Sequence, residues 1–282
     1  MNQADLAAAA SDLTAVEDDV LGKPARRGRR ADPMLLEIAW EACNQVGGIY
    51  TVLRSKVPSM VSRWGNRYCL VGPYNEKSAP IEFEPSPLVG PVGQAVKQMN
   101  EMGYRAQYGR WLVSGRPHIV LLHIEDTHQY LNDIKYRLWA DHGIPTPSDD
   151  PLVNDVLAFG ESTRLLLSML GARESHRRRI VAHFHEWMAG AAVPMLRKEE
   201  WPGSIVFTTH ATLLGRYLAM NHPVFYDHLS FFDAGHEAKH FNIEAQHGIE
   251  RSAAHGAHVF STVSDVTASE CTHLLGRTPD IL

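Results

Sequence analysis

Cysteine is scarce in this chain of 282 residues: Cys43, Cys69 and Cys271 are widely spaced, and no C-x-x-C occurs. An odd, scattered set excludes a disulfide framework and argues for a reducing compartment. Each of the three sits in or beside an apolar segment, where a free thiol behaves as a small buried hydrophobe. Long hydrophobic runs are lacking too. No apolar stretch approaches the roughly 18 residues that a membrane span needs. The opening MNQADLAAAASDLTAVEDDV carries acids where a signal peptide would be apolar, which argues against a secretory leader. Together these absences predict a cytoplasmic protein with no membrane partner. Positive charge is also short, with 27 Lys and Arg against 32 Asp and Glu. The resulting balance of -5 gives no reason to expect a nucleic-acid partner. Two basic runs, RRGRR at Arg26–Arg30 and RRR at Arg177–Arg179, read as a solvated tail or loop.

What is present is an ordinary globular composition, 44% hydrophobic and 21% charged, on a chain long enough to bury a substantial core. Residues 1–33 are Ala-, Asp- and Arg-rich without an aromatic, and read as a flexible tail. From Met34 onward, short apolar runs alternate with longer helical patterns, the signature of βα units and a mainly parallel sheet. Strands are expected at 35–40, 68–71, 118–123, 180–184, 204–209 and 258–263, with an antiparallel pair near 81–84 and 105–111. Helices are expected at 49–61, 91–102, 126–141, 152–170, 186–198, 213–220, 234–255 and 265–275. The fold class is therefore α/β, a Rossmann-like sheet with flanking helices. Such sheets bind ligands beyond the carboxyl ends of their strands.

Four motifs fall at those ends. EACNQVGGIY (Glu41–Tyr50) follows the first strand. Its glycine pair lets a ligand approach the main chain, and the helix start behind it offers free N–H groups to an anion. A purely structural Gly-Gly turn is the alternative, since the G-x-G-x-x-G fingerprint is absent. HFHEWMAG (His183–Gly190) sits at a strand-to-helix junction. His183 reads as a hydrogen-bonded core residue, whereas His185 at the strand tip faces either core or crevice. In TTHATLLGR (Thr208–Arg216), His210 closes a strand, Thr212 is placed to cap a helix, and Arg216 is a permanent cation suited to phosphate. An exposed surface Arg is the competing reading. FSTVSDVTASE (Phe260–Glu270) reads as strand, Ser/Thr cap and helix. A fifth match, HEAKH at His236–His240, satisfies the H-E-x-x-H zinc pattern. The metzincin continuation fails at Ile243 and Gln246, and Glu244 or His247 would be makeshift third ligands.

Taken together, EIAWEACNQVGGIYTVLRSK, YCLVGPYNE, YGRWLVSGRP, VAHFHEWMAG, FTTHATLLGRYL, ERSAAHGAHVFSTVS and HLLGRTPDIL resemble the N-terminal domain of the animal and fungal type of glycogen synthase, in family order across residues 34–282. The resemblance implies the N-terminal half of a GT-B glycosyltransferase, two Rossmann-like domains facing across a cleft. It implies retaining transfer of glucose from UDP-glucose, or ADP-glucose, to the 4-hydroxyl at the non-reducing end of an α-1,4-glucan, with no metal ion or other cofactor. The partners are then a nucleotide sugar and glycogen; a homo-oligomer of the full-length protein is left open. By the same resemblance His185 lies beside the transferred glucose, His210 and Arg216 contact the sugar nucleotide, and Gly47 and Gly48 lie by the donor phosphates. His273 and Arg277 match part of a glucose-6-phosphate site.

Two departures stand out. The family carries Lys immediately before V-G-G, where this chain has Gln45, so another cation such as Arg54 or Lys56 would have to supply that charge. The family also continues past the PDIL at 279–282 into P-N-G-L and a nucleotide-binding domain with an E-x₇-E motif. The expectation is an N-terminal fragment, inactive alone. A glucan-binding remnant and a related GT-B transferase with another donor or acceptor are the alternatives.

Overall fold

The computed structural model describes residues 31–147 and 149–282. The tail expected over 1–33 lies outside them as far as residue 30, and strand β1 is already under way at Ala31. The strands are β1 (Ala31–Ala39), β2 (Tyr68–Pro73), β3 (Phe83–Pro85), β4 (Ala106–Trp111), β5 (His118–Leu122), β6 (Arg178–His185), β7 (Ser204–Thr208) and β8 (Val259–Ser261). They form one sheet in the order β3-β4-β5-β2-β1-β6-β7-β8. Pairs β1/β2, β2/β5, β6/β7 and β7/β8 are parallel. The expected antiparallel extension is β3/β4 with β4/β5. The chain starts at β1 in mid-sheet, builds one wing through β2 and β5, then crosses back to build the other from β6. The switch point is the gap between β1 and β6, where a crevice must open at the strand tips.

Period-2 alternation makes this a three-layer structure. Leu36 and Ile38 of β1, Cys69 and Val71 of β2, and Val120 and Leu122 of β5 enter one core. Their sequence neighbours Leu35, Ala39, Tyr68, Leu70, Ile119 and Leu121 enter the other. Strands covered on both faces read as continuous apolar runs, as these do. The first core is closed by α3 (Gly90–Glu101) and α5 (Pro151–Glu174), the second by α1 (Gly48–Trp64) through Tyr50, Leu53 and Val57. Asp150 caps α5 by accepting from the Val153 amide at 3.0 Å, and Pro151 supplies a first-turn φ without a wasted N–H. All three thiols are free and buried, as read from the sequence.

The expected helices form, with instructive breaks. Residues 79–82 make a short turn of helix, α2 (Ala79–Glu82), so β3 starts only at Phe83. A 3₁₀ stretch (Ile124–Tyr130) precedes α4 (Leu131–His142). The 186–198 segment divides into α6 (Glu186–Gly190) and α7 (Ala192–Lys198). Beyond α8 (Leu213–Asn221), the 234–255 segment divides into α9 (Ala234–His240) and α10 (Glu244–Gly256), because Asn242 turns left-handed at φ 56°. Asn is among the few side chains that take this conformation cheaply. Last comes α11 (Asp265–Glu270), capped by Ser264 and running into a π turn at Cys271–Leu275.

Candidate active site

At the tips of β1, β6 and β7 the structure opens a cavity of about 360 Å³. Gly47, Gly48, Glu41, Glu186, His210 and Arg216 are among the groups on its wall. All six come from three of the motifs singled out in the sequence, so the topology brings those motifs to one place.

The glycine turn has an occupant of its own. Glu41 Oε2 accepts from the Gly47 amide at 2.7 Å and the Tyr50 amide at 3.0 Å, capping α1 from outside the helix. A Cβ on Gly47 would lie 3.0 Å from Glu41 Oε1, so a side chain there would press on the capping carboxylate. Beyond the turn, Gln45 and Arg54 line a second cavity of about 490 Å³. Lys56 instead forms an ion pair with Glu37. Of the two cations expected to substitute for charge at position 45, Arg54 is the one that shares Gln45's surroundings.

Behind the cavity stands a buried polar hub. Glu37, in the middle of β1 and fully buried, is paired with Lys56, accepts from the Tyr68 hydroxyl, and lies 2.7 Å from His185 Nε2. Burial opposes the charge on Glu37, yet the His185 bond and the cationic surroundings outweigh it and hold the carboxyl well below the usual range. His185 does not line the cavity. It is 2% exposed, and burial pushes it below its ordinary value despite the Glu37 bond. Its Nδ1 meets His210 Nε2 at 3.3 Å. His210 is half-buried, and burial with the neighbouring positive charges drives it down to about 4. His183 bonds Thr208 Oγ1 at 2.8 Å, the hydrogen-bonded role read from its position.

Glu186 is the residue on which the sequence reading placed no role. It follows His185 at the β6 tip with φ 64°, a strained conformation for a residue with a side chain. Its Oε1 accepts from the His210 amide at 2.8 Å. Burial, reinforced by Glu41, raises its carboxyl to about 7 against the pull of that bond and of Arg216. A carboxylate beside two histidines at a strand tip was the available signal.

Arg216 owes its place to the start of α8. Thr212 caps that helix, accepting from the Gly215 amide at 3.1 Å and donating to Glu270 Oε2 at 2.8 Å, as its position in the sequence suggested. A Cβ on Gly215 would lie 2.4 Å from Thr212 Oγ1, so the cap closes only over glycine. One turn on, Arg216 is exposed at the cavity wall and forms no ion pair among the described residues. An unneutralised guanidinium beside a half-buried cavity is ready for an anionic ligand.

The remaining motifs do not join this site. In HEAKH, His236 is exposed and its Nδ1 lies 3.3 Å from Glu237 Oε1, while Glu244 and His247 fall on α10 beyond the break at Asn242. Among the described residues, the one set with metal-ligand reach is Glu37, His183 and His185. An ion there would have to displace Lys56 from Glu37. Arg277 is held by the Ala257 carbonyl at 2.9 Å and by Asp280 at 2.8 Å, whereas His273 is exposed; no contact joins the two.

Comparison of the sequence with known proteins points to one family. The profile of the family described as "Glycogen synthase" matches residues 37–282. "Glycogen [starch] synthase" of Neurospora crassa is 42% identical over 248 residues, covering 88% of this chain and 35% of that protein. Isoform 2 of Saccharomyces cerevisiae is 42% identical over 257 residues, 88% of this chain and 36% of the relative. The rat liver enzyme is 39% identical over 265 residues, 93% of this chain and 38% of the relative. The chain thus spans little more than a third of the length of these relatives. It belongs to the glycogen synthase family.

Proposed function

We propose that this chain is the acceptor-side half of a glycogen synthase. Its cavity forms one wall of a site for retaining transfer of glucose from UDP-glucose or ADP-glucose to the 4-hydroxyl at the non-reducing end of an α-1,4-glucan. The observation that carries the reading is the unpaired Arg216 facing one cavity with His210 and the Gly47–Gly48 turn, at the switch point of the sheet. As the diphosphate departs, negative charge grows on the leaving group and positive charge on the sugar ring. Arg216 and the amides of the glycine turn suit the first, and the carboxylates of Glu41 and Glu186 suit the second. Glu186, pushed to about 7, can exchange a proton with a ligand hydroxyl near neutral pH. His210, backed by His185, orients the sugar. No step invokes a metal ion, and the reading places the protein in the cytoplasm.

In this reading the other wall comes from a second domain, and these 282 residues alone turn over poorly. The test is glucose incorporation into glycogen by a polypeptide that carries this domain and spans the length of its relatives, with each donor in turn. Robust transfer names the donor and shows that Gln45 is compatible with turnover. Inertness with both donors, in a folded protein that still binds glycogen, would replace the reading with glucan binding without catalysis.

A further inference from the structure

Three side chains in a row, Glu37, His185 and His210, connect the buried centre of β1 to the cavity wall. Glu37 can only accept: its Oε2 takes the Tyr68 hydroxyl, and its Oε1 takes Lys56 and faces His185 Nε2 at 2.7 Å. The proton of that last bond must therefore sit on His185 Nε2. Lys56 already balances the one negative charge of the hub, so nothing is left to support an imidazolium at a position 2% exposed. A neutral His185 with its proton on Nε2 carries a lone pair on Nδ1. His210 Nε2, 3.3 Å away, must then be the donor. His210 is neutral by the same logic, hemmed in by Lys56 and Arg216, and its own Nδ1 is left with a lone pair. No protein group bonds that nitrogen among the described residues.

We propose that Glu37 is a positioning residue that fixes the tautomers of both histidines, so that His210 meets the cavity as a hydrogen-bond acceptor and reads a sugar hydroxyl rather than a phosphate oxygen. A lone pair attracts O–H and repels phosphate oxygens; the phosphates are left to Arg216 and the backbone amides. The division of labour rests on the sugar-nucleotide reading of the cavity, whereas the tautomer order is a property of the unliganded chain. The other charged or titratable groups at the hub, His183 from β6 and Tyr68 from β2, do not alter it. His183 bonds Thr208 through Nε2 and its Nδ1 lies 3.8 Å from Glu37 Oε1, outside hydrogen-bond distance, while Tyr68 donates to the second oxygen of Glu37.

The experiment is nitrogen NMR of the chain labelled with ¹⁵N-histidine, near neutral pH, in which protonated and lone-pair ring nitrogens are resolved. For both His185 and His210, Nε2 should be protonated and Nδ1 bare. Glu37→Gln should shift His185 into tautomer exchange and carry His210 with it; His183, beside both, will move as a neighbour, while the histidines away from the hub keep their signals. A proton on His185 Nδ1, an imidazolium at either position, or a Glu37→Gln spectrum unchanged at both would overturn the proposal. Should Glu37→Gln fail to fold, the wild-type tautomers still decide it. Addition of UDP-glucose should move the His210 Nδ1 signal, and addition of UDP should leave it in place. Equal movement with both, or movement with neither while other site signals respond, overturns the assignment of the hydroxyl. If no signal anywhere responds to either nucleotide in a polypeptide that also carries the second domain, the sugar-nucleotide reading fails while the tautomer order still holds or falls on the free spectrum.

Discussion

Raising the pH from 6 to 9 should weaken this chain more than a Glu250→Gln variant of it. Glu250 lies on α10, fully buried, accepting from Thr209 Oγ1 at 2.7 Å and from the Leu213 amide at 3.0 Å. It thereby ties α10 to the loop that carries His210. Burial, then repulsion from Glu186, pushes its carboxyl from 4.5 up to about 8. In the folded chain it keeps a proton that the unfolded chain has released. The sign follows: the folded state binds more protons between these values, so stability falls as pH rises, and this contribution is gone above pH 8. Each unit is worth about 1.36 kcal/mol, so the two units from pH 6 to 8 correspond to a loss of roughly 2–3 kcal/mol. The variant has no proton to lose, and Glu186 titrates in both proteins. Urea unfolding at pH 6, 7, 8 and 9 reads the difference. The gap in unfolding free energy between wild type and variant should change by that amount in favour of the variant. Parallel pH curves would refute the argument and show that Glu250 is ionised throughout.

Other consequences are more local. Thr212→Ala removes both the cap of α8 and the bond to Glu270, and should cost about 1–2 kcal/mol in urea unfolding; an unchanged midpoint would remove the cap from the account. Asn242→Val forces a β-branched residue into the left-handed turn between α9 and α10 and should cost about 1–2 kcal/mol, whereas Asn242→Gly should be nearly neutral. Equal effects would show that the turn relaxes. In a polypeptide of family length, Arg216→Ala should reduce kcat/KM by about 2–4 kcal/mol of transition-state stabilisation. A rate near wild type would take Arg216 out of the site.

The sheet and the ends of its strands were legible because each central strand is an apolar run, and each crossing is marked by glycine, Ser/Thr or proline. LLEIAW and IVAHF needed only period and length to be recognised. The cavity groups at Gly47, Gly48, His210 and Arg216 followed from the rule about strand tips. His185 did not: its ring lies beside that of His183 and is buried against Glu37, 148 residues earlier in the chain. Glu37 itself was visible as an acid inside a buried strand, an arrangement that demands partners. Those partners lie on α1, β2 and β6, and linear spacing carries no trace of them. The split of the 234–255 helix was hidden for a similar reason, since the periodicity runs on across Asn242 while one backbone angle changes sign.

Glu41 gives the glycine turn a resident anion. An arriving phosphate finds the Gly47 and Tyr50 amides occupied and meets first the Gly48 and Ile49 amides between them. Docking there is therefore onto a helix end already capped by one anion rather than onto a bare one. In the unliganded chain the carboxylate already does for the turn what a phosphate would do in a complex. Under the proposed transfer reaction, such a site would draw little affinity from the helix terminus itself, and a spent diphosphate would leave as readily as a fresh donor enters. If the proposed addition of glucose units to one polymer holds, a mould that keeps its form between castings and grips none of them for long is an advantage.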